Sequence, residues 1–157
     1  HRLSRVLTII MTCRVYRTCA ILASVKRSRS KPRRPLAIID LLEPMDEWPK
    51  SWAGVQDDVR LGLGLVSPMK AFLTYLFEQD ISGKTLRRHL NNLWVIGAEI
   101  IRAVNDDDSL RKQPPHQLLL DAIEHGQAPL VRGVTEKDQC SFDATARKLL
   151  RFLTTES

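Results

Sequence analysis

Apolar residues recur at helical spacing in several segments of the chain. The clearest stripe is formed by Met69, Phe72, Leu73, Leu76 and Phe77. This spacing places its members on one face of an α-helix. Similar stripes predict helices at about 68–79, 83–104, 115–125 and 136–154. The sequence therefore predicts an all-α fold, a small bundle of about four helices that share one core.

Capping signals set the predicted start of the first helix. Ser67 can accept hydrogen bonds from free backbone amides at a helix start. Pro68 suits the first helical position, because a backbone N–H there would have no acceptor within the helix and proline has none to lose. Residues 54–66 are predicted to form a loop, with Gly62 and Gly64 in a turn. This glycine pair is not a dinucleotide fingerprint, because a third glycine and a preceding strand are lacking.

The other helices carry signals of the same kind. Ser82 is placed to cap the second helix, and Gly97 on its apolar face predicts the close approach of a neighbouring element. Gly126 is expected just past the end of the third helix. The fourth helix is predicted to begin after Thr135, which has an acidic residue three positions on, or after Ser141.

Charge divides the chain near Met45. Residues 1–44 contain ten Lys or Arg and two acidic residues, a balance of +8, whereas residues 45–157 contain 14 basic and 16 acidic residues, a balance of −2. We therefore expect a poorly structured basic extension over 1–44 and a helical domain over 45–157. The sequence pI of about 9.5 comes from the extension and does not indicate that the domain binds nucleic acid.

Three hypotheses account for the basic extension. Flexible Lys and Arg side chains release counterions on meeting phosphate, which favours an arm that binds nucleic acid or acidic surfaces. A composition rich in Arg and Ser, without acids over residues 1–39, is also typical of a transit peptide. The simplest hypothesis is translated upstream sequence with no evolved role, since the chain begins with His1 and its composition changes at Met45.

The predicted second helix carries a basic stripe opposite its apolar face. Its members are Lys84, Arg87, Arg88 and Asn91, which fall within about 100° of one another on a helical wheel. Ser82 and Thr85, on either side of Lys84, add hydroxyl groups at a helix start, where free amides and the helix dipole favour anions. The pattern predicts contact with a phosphate backbone, and the alternative is an ordinary solvated helix face.

Residues 69–104, MKAFLTYLFEQDISGKTLRRHLNNLWVIGAEIIRAV, resemble the opening of the core-binding, SAM-like domain of tyrosine recombinases and phage integrases. In that family a short amphipathic helix is followed by a Ser-x-x-Thr turn and a long helix that is first basic and then apolar. The resemblance covers about 36 of the 157 residues. The segment from Met45 onward is also similar to a group of uncharacterised bacterial helical proteins with the pattern SxKTxRRHxxNLWxxGxEIIRxxN, which brings no activity with it.

The recombinase resemblance implies contact between the turn, the helix start and DNA phosphates. It implies such roles for Ser82, Lys84, Thr85, Arg87 and Arg88, and the stripe adds Asn91 as a further DNA-binding residue. Recombinase catalysis needs an Arg, a His-x-x-Arg and a nucleophilic Tyr on a separate downstream domain. The tyrosines here are Tyr16 and Tyr75, and Tyr75 falls beside the apolar stripe of the first helix, which is typical of packing. We therefore expect no recombinase active site.

Other catalytic, metal and membrane signals are lacking. The three cysteines form no paired zinc pattern, and His89, His116 and His125 are not spaced as ligands on one helix face. Asp57 and Asp58 lack a partner base, and Asp106 to Asp108 lack the alternation of a calcium loop. The longest apolar run, 6–25, is interrupted by arginines. We expect no enzyme activity, no cofactor or metal, and a cytoplasmic location.

Two functional hypotheses remain at this point. The first is a non-catalytic helical DNA-binding module, an accessory of mobile elements or integrases, that uses Ser82 to Asn91 on the backbone of double-stranded DNA. The second is a protein-interaction module, such as a small homodimer or an antitoxin-like partner, in which Trp48, Trp52 and Trp94 or a spare apolar helix face contact another chain.

Overall fold

The computed structural model describes residues 35–155, and this part of the chain is a bundle of α-helices without a strand. Helix α3 contacts α2, α4, α5 and α6 and so lies at the centre of the bundle. This architecture confirms the predicted all-α fold. The elements in order are α1 (Ile39–Leu42), the 3-10 helix η1 (Glu43–Glu47), α2 (Trp48–Trp52), α3 (Gln56–Glu78), α4 (Gly83–Asp106), the 3-10 helix η2 (Asp108–Lys112), α5 (Pro115–Ala122) and α6 (Glu136–Thr155).

Helix α3 begins twelve residues earlier than predicted. The expected loop over 54–66 is wrong, as is the expected cap at Ser67, because Gln56 is already helical and Pro68 lies inside the helix. The side chain of Asp58 provides the cap, with one carboxylate oxygen accepting the backbone N–H of Gly54 at 2.8 Å and that of Val55 at 3.0 Å.

The glycines of α3 mark helix contacts and not a turn. A Cβ atom added to Gly62 would lie 2.9 Å from Pro49 in α2, and one added to Gly64 would overlap the ring of Pro115 at the start of α5. Gly64 is also four residues before Pro68, where the proline ring crowds the preceding turn. Tertiary packing against two neighbours therefore offsets the low helix propensity of these residues.

Helix α4 agrees with its prediction. The hydroxyl of Ser82 caps the helix by accepting the backbone N–H of Thr85 at 3.2 Å. Gly97 permits the expected close approach, because the indole ring of Trp52 occupies the space that its side chain would need.

The last two helices also lie close to their predicted ranges. Helix α5 ends at Ala122, three residues early, and Gly126 follows with a φ of +67°, a conformation that favours glycine. Helix α6 begins after Thr135, whose hydroxyl accepts the backbone N–H of Asp138 at 3.2 Å and donates to its carboxylate at 2.8 Å. This capping box decides between the two predicted starts, Thr135 and Ser141, in favour of Thr135.

The core takes in residues before the charge boundary at Met45. Leu41 in α1 and Met45 itself are buried, and the compact helical unit begins at Leu36. Helical structure thus reaches into the last part of the segment that was expected to be a poorly structured extension. Residues 1–34 lie outside the described part of the chain. Within residues 35–155, none of the helices combines the length and the apolar character that crossing a membrane requires.

Candidate nucleic-acid interface

The predicted basic stripe lies on the exposed side of α4. Lys84, Arg87, Arg88 and Asn91 are exposed, whereas Leu86 and Leu93 point into the core. None of the three cations forms an ion pair with another residue of the described chain. The side chains are therefore available to an external anion.

Ser82 and Thr85 are engaged with each other at the start of α4. Ser82 Oγ accepts the Thr85 amide and donates its own proton to Thr85 Oγ1 at 3.0 Å. Thr85 retains its hydroxyl proton for an outside acceptor, while the Ser82 hydroxyl is committed to the cap. The amides of Gly83 and Lys84 fall in the first turn, where helix geometry gives an N–H no partner, so this end of α4 has donors for an anion.

Buried polar contacts determine how α6 lies against α4. The side-chain nitrogen of Asn92 donates to the carbonyl of Ser141 at 2.9 Å and to Thr145 Oγ1 at 2.8 Å, and His89 Nδ1 lies 2.8 Å from the same hydroxyl. Residue numbers rise along α6 as they fall along α4, so the two helices are antiparallel. The second half of α6 therefore lies beside the start of α4.

This pairing adds two cations to the stripe. Lys148 and Arg151 on α6 are exposed and form no ion pair within residues 35–155. Lys148 and Arg88 both act electrostatically on His89, which lies between the two helices. We use the name basic surface for the five residues Lys84, Arg87, Arg88, Lys148 and Arg151.

Sequence reasoning missed the contribution of α6. Lys148 and Arg151 are three residues apart and so share one helix face, which the sequence does show. Nothing in that spacing indicates which helix the face lies beside. The spacing of Lys148 and Arg151 indicates a shared basic surface only once Asn92 and His89 are known to bind α6.

His89 is a core residue beneath the basic surface. Its imidazole is fully buried, and burial together with the charges of Arg88 and Lys148 lowers its pKa from 6.5 to about 4. Thr145 donates its proton to the carbonyl of Ser141 at 3.3 Å, so its hydroxyl accepts from His89, which places the imidazole proton on Nδ1. The Nε2 atom is buried without a hydrogen-bond partner.

A groove runs between the end of α3 and the second half of α6. Its volume is about 390 Å³, and it is lined by Tyr75, Leu76, Gln79, Ile81, Lys148, Arg151, Phe152 and Thr155. Tyr75 packs on Phe152 with ring centroids 5.2 Å apart, yet it remains 40% exposed. The predicted packing role of Tyr75 thus accounts for part of its surface only.

The acidic pairs considered from the sequence have structural roles. Asp58 is buried and binds Arg111 at 2.6 Å and Asn105 at 3.0 Å, whereas Asp57 is exposed. Burial raises the pKa of Asp58, but the hydrogen bonds from Arg111, Asn105 and two backbone amides outweigh it and lower the pKa overall. Asp58 is therefore a structural residue whose carboxylate is held by four donors.

The two acids that follow α4 each accept a hydrogen bond. Asp107 accepts the backbone N–H of Ser109 at 3.0 Å and caps η2, and Asp108 pairs with Arg111 at 2.6 Å. No group of three or more His, Cys, Asp or Glu side chains in the described range could hold a metal ion. Cys140 is a free, exposed thiol.

The tryptophans offered for a partner interface lie largely within the fold. Trp48 and Trp52 are buried in the core of the bundle, so they cannot serve as exposed anchors for another chain. Trp94 is half-buried and donates from its indole nitrogen to Ser51 Oγ at 3.3 Å. Of the contacts named in the interaction hypothesis, Trp94 and the apolar helix faces therefore remain, whereas Trp48 and Trp52 do not.

Comparison with protein-family models, with curated protein sequences and with solved structures finds no match to this chain.

Proposed function

We propose that this protein is a non-catalytic helical module that binds the sugar-phosphate backbone of DNA through its basic surface. The single observation that supports this function is the antiparallel pairing of α6 with α4, which brings Lys148 near Arg88 and adds the exposed cations of α6 to those at the start of α4. None of the five cations of the basic surface is neutralised by an acidic partner within the described chain. Unpaired Lys and Arg side chains release counterions from DNA when they neutralise phosphates.

The start of α4 adds directional contacts to this charge. The first-turn amides and the Thr85 hydroxyl are hydrogen-bond donors beside Lys84, and the positive end of the helix dipole favours a phosphate there. Asn91, one turn beyond Arg87, adds a polar side chain on the same exposed face. Contacts of this kind position a protein on the backbone and carry no base specificity. A role as an accessory of mobile elements is part of the proposal and rests on the resemblance of residues 69–104 to integrase core-binding domains.

The test is DNA binding by the full chain, measured by fluorescence anisotropy on a blunt duplex at several salt concentrations. Changing Lys84, Arg87 and Arg88 together to Ala should weaken binding at least tenfold at low salt. It should also reduce the salt slope by about 2 to 3, because each lost phosphate contact removes about 0.9.

A matched control removes the same charge elsewhere. Arg60, Arg132 and Lys137 are exposed and unpaired within residues 35–155, and their joint change to Ala should leave most of the affinity and slope intact. Equal losses in the two triple variants would show that net charge alone, including that of residues 1–44, drives binding. If the chain does not bind DNA at low salt and elutes as a dimer from a size-exclusion column, the protein-interaction module is favoured instead.

A further inference from the structure

The groove between α3 and α6 lies next to the basic surface and shares Lys148 and Arg151 with it. Its lining combines these two cations with an aromatic pair, Tyr75 and Phe152. A phosphate-binding surface has no need of an exposed aromatic ring, so the groove requires an explanation beyond backbone contact.

Tyr75 is the exposed member of an aromatic cluster between α3 and α6. The other rings of its cluster are enclosed, since Phe72 is fully buried and Phe152 is half-buried between Phe72 and Tyr75. Tyr75 is thus held from below by packed rings, while two-fifths of its surface faces solvent. A partly exposed ring that packs on a second ring can serve as a platform on which a planar group stacks.

The charge of the groove selects the kind of planar ligand. Its lining contains Lys148 and Arg151 and no carboxylate. The other main groove of the described chain, of about 310 Å³ between α4 and α5, is lined by apolar side chains together with Glu99 and Asp121. Of these two grooves, the one at Tyr75 therefore complements a ligand that carries both a negative charge and an aromatic face.

We propose that this groove binds a single-stranded segment of nucleic acid, with a base stacked on Tyr75 and the adjoining phosphates at Lys148 and Arg151. Nucleotides are ligands in which an aromatic face and an anionic group repeat at short intervals. Binding of single strands commonly combines a cationic track with aromatic side chains. The inference rests on the proposed function and names its substrate class, namely DNA in which an unpaired strand adjoins the backbone bound by α4.

Helix α4 and the ring of Tyr75 on α3 then have different roles in binding. Lys84, Arg87 and Arg88 on α4 contact phosphates whether or not the bases are paired. Tyr75 contributes only when a base is free to leave its stack, because a base inside a duplex is covered on both faces. Single-stranded and duplex probes should therefore respond differently to a change at Tyr75.

The experiment compares the full chain and its variants on a labelled oligothymidylate of about 12 nucleotides and on a blunt duplex of equal length. Tyr75→Ala should weaken binding of the oligothymidylate at least fivefold, since stacking on one aromatic ring contributes about 1 to 3 kcal/mol per base. The same change should alter duplex binding by less than about twofold. Tyr75→Phe, the matched control, keeps the ring and should bind both probes as the unchanged chain does.

A second pair of measurements separates stacking from general anion binding. Lys148→Ala with Arg151→Ala should weaken oligothymidylate binding more than duplex binding. A polyglutamate of matched length should compete poorly, because it supplies charge without a stacking face. Circular dichroism and urea unfolding check that each variant remains folded.

The outcomes keep the two proposals distinct. If the protein binds duplex but Tyr75→Ala leaves oligothymidylate binding unchanged, the stacking inference is wrong and the backbone proposal stands. Equal weakening of both probes, or competition by polyglutamate as strong as that by oligothymidylate, overturns the inference as well. Failure to bind either probe at low salt ends both proposals.

Discussion

His89 on α4 and Thr145 on α6 form a buried hydrogen bond, with 2.8 Å between Nδ1 and Oγ1, directly beneath the basic surface. Asn92 donates to the same hydroxyl. These contacts determine the register of the two helices and thereby bring Lys148 and Arg151 beside the start of α4. The stability of this polar cluster and the geometry of the proposed interface are therefore linked.

Thr145→Val should test the cluster directly. Valine has nearly the same shape but leaves His89 Nδ1 without its acceptor and removes one of the acceptors of Asn92, which keeps the carbonyl of Ser141. The free energy of unfolding should therefore fall by about 1 to 3 kcal/mol. Thr154→Val is the control, since its exposed hydroxyl bonds only to the backbone of its own helix and its loss should cost less than about 0.5 kcal/mol. Equal unfolding midpoints in urea for the two variants would contradict the assigned role.

The stability of the fold should depend on pH through His89. Because its folded pKa is about 4 and its ordinary value is 6.5, the unfolded chain binds more protons between these values. The free energy of unfolding should therefore fall as the pH is lowered from 6.5 to about 4, by on the order of 3 kcal/mol from this residue. Above pH 6.5 the contribution should be flat.

Urea unfolding at several pH values measures this dependence. His89→Gln should reduce the slope of unfolding free energy against pH in this window, whatever its effect on absolute stability. His116→Gln, at an exposed position, should leave the slope unchanged. A slope that survives the loss of His89 would assign the acid sensitivity to carboxylates elsewhere.

Gly97→Ala should destabilise the bundle despite a higher helix propensity. The added methyl group gains up to about 1 kcal/mol in an isolated helix, but it overlaps the buried indole of Trp52, and overpacking costs about 1 to 3 kcal/mol. The thermal midpoint should drop. Trp52→Leu removes the clashing ring, so Gly97→Ala should destabilise the Trp52→Leu variant less than it destabilises the unchanged chain. If the two changes lower the stability in a fully additive way, the contact between Gly97 and Trp52 is not the cause.

Asp58 should be one of the most sensitive polar residues of the chain. Asp58→Ala removes an acceptor shared by the amides of Gly54 and Val55 and by the side chains of Asn105 and Arg111, which should cost about 2 to 4 kcal/mol. Asp57→Ala, at its exposed neighbour, should cost less than about 1 kcal/mol. Amide exchange should also accelerate at the start of α3 in the Asp58 variant alone.

Local signals in the sequence were enough for most of the helices. The stripe from Met69 to Phe77 and the caps at Ser82 and Thr135 each depend on residues within one or two turns, so they could be recognised without the fold. The start of α3 could not be recognised from local signals. Gly62, Gly64 and Pro68 disfavour a helix locally, and the contacts that offset this come from Pro49 in α2 and Pro115 in α5.

Part of the candidate site could likewise be predicted from the sequence, and part of it depends on the tertiary structure. The sequence by itself determined that Lys84, Arg87 and Arg88 share the exposed face of a capped helix, because helical periodicity decides which residues share a face. Only the tertiary structure decided what lies beside that face. The addition of Lys148 and Arg151 depends on the antiparallel pairing of α4 with α6, and that of the Tyr75 ring depends on the packing of α3 against α6. The enclosure of Trp48 and Trp52 depends on the packing of α2. Such contacts join residues far apart in the chain, and their energies depend on a register that no local pattern encodes.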